Sequence, residues 1–179
     1  MDVFCRCVFE TPVGPMIALA SDSALAALEF AHPHRERRLD ARLLRRFPPH
    51  RIDDTPNAIL DRARVWLDDY FAGRSADAGA LPLAMHGTEF EHRVWASLLE
   101  ISAGQTTSYG AIAGRLGLRN GARAVGLANG ANPIAIIVPC HRVVGADGTL
   151  TGYGGGLERK RWLLDHERRW ASFELTASR

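Results

Sequence analysis

Short apolar runs separated by turn residues open the chain. Residues 3–9, 16–20 and 24–30 are apolar segments of strand length, and the stretch 11–15, which contains Pro and Gly, separates the first two. This pattern predicts three β-strands at the start of the chain.

Two segments with helical spacing follow these runs. Residues 35–46 carry the densest run of positive charge with leucines on the opposite face, and we interpret them as a helix with one solvated face. The second segment starts at Thr55-Pro56, keeps its apolar residues on one face and ends at Gly73. Two amphipathic helices are therefore predicted after the strands.

A stretch of small residues then divides the chain. Residues 74–83 are rich in Gly and Ala and contain Pro82, which is typical of a boundary between domains. The domain boundaries that we expect from it are, in order, an N-terminal domain at 1–80, a linker at 81–87, a second domain at 88–170 and a tail at 171–179.

The second half begins with a helix start signal. Thr88 and Glu91 form a capping-box pattern ahead of apolar residues at helical spacing. Two short helices are predicted next, at 108–116 and 121–129, with a break at 117–120 between them. A short turn between two such helices is the outline of a helix-turn-helix.

An apolar run that ends in Pro139 precedes the pair Cys140-His141. We predict this run as a buried strand, which places Cys140 where a buried element meets a loop. Three elements are predicted after the pair: a hairpin turn at 146–149, a Gly-rich loop at 152–156 and a last helix at 157–169.

The Cys140-His141 pair points to nucleophilic chemistry. A thiol attacks as thiolate, and a histidine nearby, or one reached through a bridging water, is a usual way to form the thiolate near neutral pH. A buried core cysteine beside a surface histidine is the competing interpretation of such a pair. Glu167 completes a Cys-His-acid relay only if the fold brings its carboxylate to His141.

The second short helix consists mostly of very small residues. Arg123 is the one long side chain among Gly121, Ala122, Ala124 and Gly126. Glycine inside a helix costs about 1 kcal/mol relative to alanine, so this composition indicates a close approach by another body. That body is either a second helix or a nucleic-acid groove, with Arg123 inserted where a base has left the stack.

Composition narrows the alternatives only modestly. The 179 residues are 46% hydrophobic with a net charge of +2, which fits a globular protein and does not by itself indicate a nucleic-acid binder. No apolar run reaches membrane-spanning length and the N-terminus lacks a secretory pattern, so we expect a cytoplasmic protein without a membrane partner. Cys5 and Cys7 lack any recognised zinc-ligand spacing with the histidines, so no metal is expected.

Several motifs in order carry a family resemblance. They are Gly121-Ala122-Arg123-Ala124-Val125-Gly126, Asn132-Pro133, Val138-Pro139-Cys140-His141-Arg142-Val143 and Gly152-Tyr153-Gly154. Together they resemble the O6-alkylguanine-DNA alkyltransferases, or methylated-DNA–protein-cysteine methyltransferases, of bacterial type especially. The resemblance implies an α/β fold in two parts: an N-terminal ribonuclease-H-like α/β domain without that enzyme's activity, and a C-terminal helix-turn-helix, winged-helix-like domain that binds DNA and holds the active site.

The resemblance also implies catalytic roles. Cys140 would accept the alkyl group from guanine O6 in one in-line step, His141 would take the thiol proton through a water, and Glu167 would stand behind His141. Asn132 would brace the turn that holds the cysteine, and Tyr109 would donate a proton to the leaving base.

On the DNA side, Arg123 would fill the gap left by a flipped base while the small residues around it enter the minor groove. Alkylated duplex DNA would be the partner, at guanine O6 and also at thymine O4. The protein would act once, as a monomer and without any cofactor, and cooperative binding along DNA stays open. The further residues implied are Thr107 and Ser108 as DNA contacts, and Val143, Tyr153, Gly154 and Asn129 around the base.

One departure and three other functions qualify this interpretation. Asn129 stands where vertebrate members have a methionine near the base. The resemblance therefore does not carry over tolerance of bulky alkyl groups such as benzyl. A lesion-binding protein without transfer activity would lack the reactive cysteine, whereas Cys140 is present. A transcription regulator would need longer side chains on its recognition helix, and nothing near Cys140 resembles a cysteine hydrolase.

Overall fold

The computed structural model describes residues 2–32, 50–74 and 77–177. The chain folds into two compact units, one comprising Met1–Gly87 with Pro133–Ala135, the other Thr88–Asn132 with Ile136–Arg179. The basic helix predicted at 35–46 lies outside the described residues.

A four-stranded sheet forms the first unit. Its strands are β1 (Asp2–Phe9), β2 (Met16–Ala20), β3 (Leu25–Phe30) and β4 (His50–Asp53), in the order β3-β2-β1-β4. β1, β2 and β3 are antiparallel neighbours, whereas β4 runs parallel to β1. The three predicted strands are confirmed. β4 was not predicted because its four residues include one large apolar side chain, that of Ile52.

Helix α1 (Ala58–Phe71) packs on β1, β2 and β3. Asn57 begins it: the side-chain oxygen accepts a hydrogen bond from the Leu60 N–H at 2.9 Å, which satisfies a donor that the first helical turn leaves open. The helix therefore starts just after the predicted Thr55-Pro56. Its buried face, which includes Trp66 and Tyr70, meets strands β2 and β3, in which every residue is buried.

Residues from the expected linker pair with the edge of this sheet. The Leu25 N–H donates to the Pro82 carbonyl at 2.9 Å, and the Ala84 N–H donates to the Leu25 carbonyl at 2.8 Å. Part of the stretch 81–87 is thus hydrogen-bonded to β3.

A distant segment, Pro133–Ala135, belongs to the same unit. The Leu28 N–H donates to the Pro133 carbonyl at 3.0 Å, and the Ala135 N–H donates to the Leu28 carbonyl at 2.8 Å. The backbone groups of Leu28, on the side of β3 away from β2, are satisfied in this way.

The second unit is mainly helical. Its elements are α2 (Glu89–Leu99), β5 (Thr107–Ser108), α3 (Tyr109–Arg115), α4 (Ala122–Gly130), β6 (Val143–Val144) and α5 (Leu157–Ala177), with β5 and β6 parallel. The capping box is confirmed, since Thr88 Oγ1 accepts from the Glu91 N–H and the Glu91 carboxylate accepts from the Thr88 N–H. α5 runs past the predicted end at Arg169, through most of the expected tail.

Helices α3 and α4 form the predicted helix-turn-helix. They pack against each other, and the connecting turn uses positive φ at Gly117 (73°) and Asn120 (57°). Glycine and asparagine are the residues that adopt this backbone conformation most readily. In the described part of the chain, no helix has the length and apolar content that a membrane crossing needs.

The apolar run before Cys140 is not a strand, and that prediction is wrong. Residues 135–138 form turns, Ile136 has a φ of 70°, and Cys140–Arg142 is one turn of 3₁₀ helix. The run is buried throughout, which gave it the composition of a core strand. Its contact with a strand is limited to the bonds that Pro133 and Ala135 make with Leu28 of β3. Beyond Ala135 the backbone bonds locally or to a side chain, as in the Cys140 N–H to the Val138 carbonyl at 2.8 Å.

Candidate active site

Cys140 is the first residue of the 3₁₀ turn and is 7% exposed. Asn129 Nδ2 donates to the Cys140 carbonyl at 3.3 Å, and Asn132 Nδ2 donates to the Val138 carbonyl at 2.8 Å. Both amides come from the end of α4 or just beyond it, and both are buried. They hold the backbone on the two sides of the thiol. Asn129, which the resemblance placed around the base, contacts the cysteine backbone here.

His141 and Glu167 form a fully buried pair. His141 Nε2 lies 2.7 Å from Glu167 Oε1, and neither side chain is exposed. Glu167 also accepts two hydrogen bonds of 2.9 Å from the Arg142 guanidinium, and one of 3.1 Å from the Gly104 N–H. The fold thus brings the carboxylate to the imidazole, which sequence spacing could not show.

Burial and the neighbouring Arg142 set the protonation states of His141 and Glu167. Burial lowers the pKa of His141 and favours the neutral ring. Burial alone would raise the pKa of Glu167, but His141 and Arg142 outweigh it and hold that pKa well below its usual range. Because a carboxylate only accepts, Nε2 carries the ring proton and Nδ1 is the acceptor. Nδ1 is buried and has no hydrogen-bond partner among the described residues.

Tyr109 opens α3 and directs its hydroxyl at the loop before α5. The hydroxyl donates to the carbonyls of Thr151 at 3.2 Å and Gly152 at 3.4 Å. Burial raises the pKa of the Tyr109 hydroxyl, so it is a protonated donor at neutral pH.

The remaining predicted residues of this region have definite places. The Ser108 hydroxyl caps α3 by accepting a backbone N–H of its first turn, and Thr107 pairs with Val143 across β5 and β6. The Tyr153 ring lies edge-on to the buried imidazole, with 6.5 Å between the ring centres. Gly154 is exposed.

One face of α4 is open. Three consecutive residues at its start are exposed: Ala122, Arg123 and Ala124. Leu127, one turn after Arg123, is 71% exposed, and Gly126 is half-buried. A second helix covering this face was one sequence interpretation, but among the described residues no helix covers these exposed positions. Gly121 lies in the turn, where an added Cβ would come 2.6 Å from the Leu118 Cβ.

Two charged residues of the site were not predicted. Arg142 bonds Glu167 through its guanidinium, and Lys160 is fully buried in α5. Lys160 Nζ donates to the carbonyls of Val143 at 2.6 Å and Thr151 at 2.7 Å. Burial lowers the pKa of Lys160 to about 8, against the attraction of Cys140. One signal was available, because Lys160 is the only lysine in an arginine-rich chain.

The two other cysteines lie in β1, away from any candidate ligand cluster. Cys5 is buried with its Sγ 3.8 Å from Thr55 Oγ1, and Cys7 is half-buried. Within the described residues, no group of His, Cys, Asp and Glu could hold a metal ion.

The second unit thus holds a helix-turn-helix together with a buried thiol in the same turn as a carboxylate-bound imidazole, which is the set of side chains that nucleophilic cysteine chemistry uses. Two family models match the chain: the ribonuclease-like domain of 6-O-methylguanine DNA methyltransferase over residues 6–85, and its DNA binding domain over residues 89–169. The chain belongs to the 6-O-methylguanine DNA methyltransferase family. The expected two-part α/β fold is confirmed by these matches.

Individual relatives cover nearly the whole chain. The methylated-DNA–protein-cysteine methyltransferase of Mycobacterium leprae is 44% identical over 97% of this chain and 98% of its own length. The crystal structure of Mycobacterium tuberculosis O6-methylguanine methyltransferase has a TM-score of 0.76 at 41% identity, over 98% of this chain and 99% of that one. The crystal structure of Mycobacterium tuberculosis OGT in complex with DNA has a TM-score of 0.75 at 40% identity, over 94% of each chain.

Proposed function

We propose that this protein repairs alkylated duplex DNA by moving a methyl or other alkyl group from guanine O6, and from thymine O4, onto Cys140. The relatives named methylated-DNA–protein-cysteine methyltransferase support the reaction class. The observation that carries the proposal is that His141 shares a 3₁₀ turn with Cys140 and is bonded through Nε2 to Glu167, which leaves Nδ1 as an acceptor.

The thiol proton leaves through His141. A bridging water takes the proton from Sγ to Nδ1, while the Glu167 carboxylate stabilises the imidazolium that forms. The thiolate then attacks the alkyl carbon. The C–S bond forms as the C–O6 bond breaks, and the electron pair of that bond stays on guanine. The thioether does not hydrolyse readily, so each molecule acts once and needs no cofactor, since the damaged DNA is the alkyl donor.

The open face of α4 supports the DNA side of the proposal. Small side chains let the helix backbone approach a minor groove, and Arg123 is exposed to fill the gap that a flipped base leaves. Tyr109, whose hydroxyl is protonated at neutral pH, donates a proton to the displaced base. The protein acts as a monomer on DNA in this proposal, and the cytoplasm stays the predicted location.

Intact mass tests the transfer directly. We expect the protein, mixed with an equimolar short duplex containing one O6-methylguanine, to gain one methyl group that maps to Cys140. Cys140→Ser is the matched control, which should bind the same duplex and gain no mass. Binding without a gain in the wild type would indicate a damage sensor. A methyl group on another residue would refute Cys140 as the nucleophile.

A further inference from the structure

Lys160 is a buried cation without a carboxylate partner. Its side chain is fully buried, and the two hydrogen bonds of Nζ go to the neutral carbonyls of Val143 and Thr151. No acidic side chain of the described residues lies within ion-pair distance of it. A buried ammonium without a counter-ion is costly, so proteins seldom keep one without a use.

The surroundings of Lys160 are those of the reacting thiol. One carbonyl that it holds belongs to Val143, whose own N–H donates to the Cys140 carbonyl at the end of the 3₁₀ turn. The other belongs to Thr151 in the loop before α5 and also accepts from Tyr109. Nζ lies 6.0 Å from the centre of the Tyr109 ring. The charge of Cys140 raises the pKa of Lys160, and the charge of Lys160 lowers the pKa of His141.

We propose that Lys160 is the countercharge of the transfer: its ammonium balances the negative charge that is first on the Cys140 sulfur and then on the displaced guanine. The part that concerns the displaced guanine rests on the proposed function, whereas the part that concerns the Cys140 sulfur does not. In the transfer, the electron pair moves from sulfur to carbon and from the C–O6 bond to guanine, so the negative charge stays inside the site. A fixed cation there stabilises it without reorganisation.

The pKa of Lys160, lowered to about 8, still leaves the ammonium as the main form at neutral pH. Lysine suits this position because its ammonium is compact and its pKa responds to its neighbours, whereas arginine would place a larger, planar guanidinium there. By holding the Val143 and Thr151 carbonyls, Lys160 is also a positioning residue, so its test must separate charge from packing.

Thiol alkylation without DNA is the first arm of the test. The rate at which iodoacetamide modifies Cys140 is followed against pH in the wild type, in Lys160→Met and in Arg161→Met, which removes the exposed cation next in α5. We expect Lys160→Met to move the midpoint of the rate–pH curve of Cys140 modification toward higher pH, so that modification at pH 7 is roughly tenfold slower. Arg161→Met should match the wild type. An unshifted midpoint in Lys160→Met, or an equal shift in both variants, would overturn the proposal.

The second arm needs no substitution of Lys160. Because the chain has one lysine, protein labelled with ¹³C-lysine gives one ε-methylene NMR signal, whose titration reports Lys160 alone. We expect a midpoint near 8, and a lower one in Cys140→Ser, which has lost the thiolate that favours the ammonium. A midpoint that Cys140→Ser leaves unchanged would contradict the proposal even if Lys160→Met does not fold.

Transfer from an O6-methylguanine duplex is the third arm. Lys160→Met should transfer more slowly than its thiolate fraction alone explains. If the wild type transfers no methyl group at all, the proposed function fails while the first two arms still decide the thiolate half. If methyl transfer by Lys160→Met is slowed only in proportion to its thiolate fraction, Lys160 does not stabilise the charge on the displaced guanine.

Discussion

Glu167 accepts hydrogen bonds from three residues of the site: His141, Arg142 and Gly104. Taking a carboxylate out of water costs several kcal/mol, which only good geometry and charged donors offset. His141 and the Arg142 guanidinium together keep Glu167 ionised, and the ionised carboxylate holds His141 in the tautomer whose Nδ1 accepts a proton. Arg142 thus supports the tautomer of its neighbour His141 through Glu167.

Arg142→Met tests this dependence. We expect it to lower the free energy of unfolding by about 3 kcal/mol, because it leaves the buried Glu167 carboxylate without its guanidinium partner. Glu167→Gln removes that charge, so the double variant should lose less than the sum of the two single losses. Urea denaturation of the two single variants and the double variant gives the coupling free energy between Arg142 and Glu167. Arg168→Met, which breaks an exposed pair with Asp165, is the control and should cost under about 0.5 kcal/mol. Equal losses in the two arginine variants would contradict the argument.

Acid pH gives an independent check on Glu167. Its folded pKa lies below the unfolded value, so the stability it contributes is present above the ordinary carboxyl pKa, about 4.3, and is lost as the pH falls. The stability difference between wild type and Glu167→Gln should therefore narrow below about pH 4. Urea denaturation at a series of pH values measures it. A difference that stays constant with pH would show that Glu167 is not ionised in the folded state.

At the scale of the elements, the glycines of the helix-turn-helix have two separate causes. Gly121 is small because the turn needs the space: an added Cβ would come 2.6 Å from the Leu118 Cβ and 3.2 Å from the Ala113 Cβ. At Gly126 the nearest atom to an added Cβ is in the Tyr109 ring at 3.8 Å, which is an ordinary contact. Internal packing accounts for the first glycine and leaves the second to be explained by what approaches α4.

Gly126→Ala distinguishes folding from DNA binding. Since alanine is favoured over glycine inside a helix by about 1 kcal/mol and fits here, we expect a protein at least as stable as the wild type. Under the proposed function, the extra methyl group on the groove-facing side should slow transfer from duplex DNA and leave reaction with free O6-methylguanine unchanged. Gly121→Ala is the contrasting variant, which should lower the melting temperature. Unchanged transfer from duplex in Gly126→Ala would show that this face does not approach DNA.

Local signals explain which elements the sequence predicted. The Thr88 cap, the helical spacing and the turn residues act within one or two turns of chain, so the helices and the first three strands were predicted. The segment 135–138 was missed because burial alone does not distinguish a strand from buried turns. In the site, Cys140 and His141 were found by pattern, whereas Glu167 was a candidate whose place depended on the fold or on the resemblance. Lys160 was missed because a charged residue in a helix predicts exposure.

At the scale of the whole molecule, the chain leaves the first unit, returns to it for three residues and leaves it again shortly before Cys140. Asn132 and Ile136 belong to the second unit, whereas Pro133–Ala135 between them belongs to the first and pairs with Leu28 of β3. A sequence read in order predicts one boundary near residue 87 and gives no signal of this return. Pairing across such a sequence distance is a tertiary property, set by the open edge of β3.

A chain that begins at Thr88 removes the partner of this short segment. The Ala135 amide donates to the Leu28 carbonyl, so in the full protein its hydrogen exchange should be slow. In the truncated chain we expect its exchange to be at least about tenfold faster, since opening no longer breaks a sheet bond. The Ala131 amide, which bonds the Leu127 carbonyl inside α4, is the control and should keep its protection if the second unit folds. Fast exchange at both amides would mean that the truncated unit does not fold. Equal protection of Ala135 in both chains would show that β3 does not hold the segment leading to Cys140.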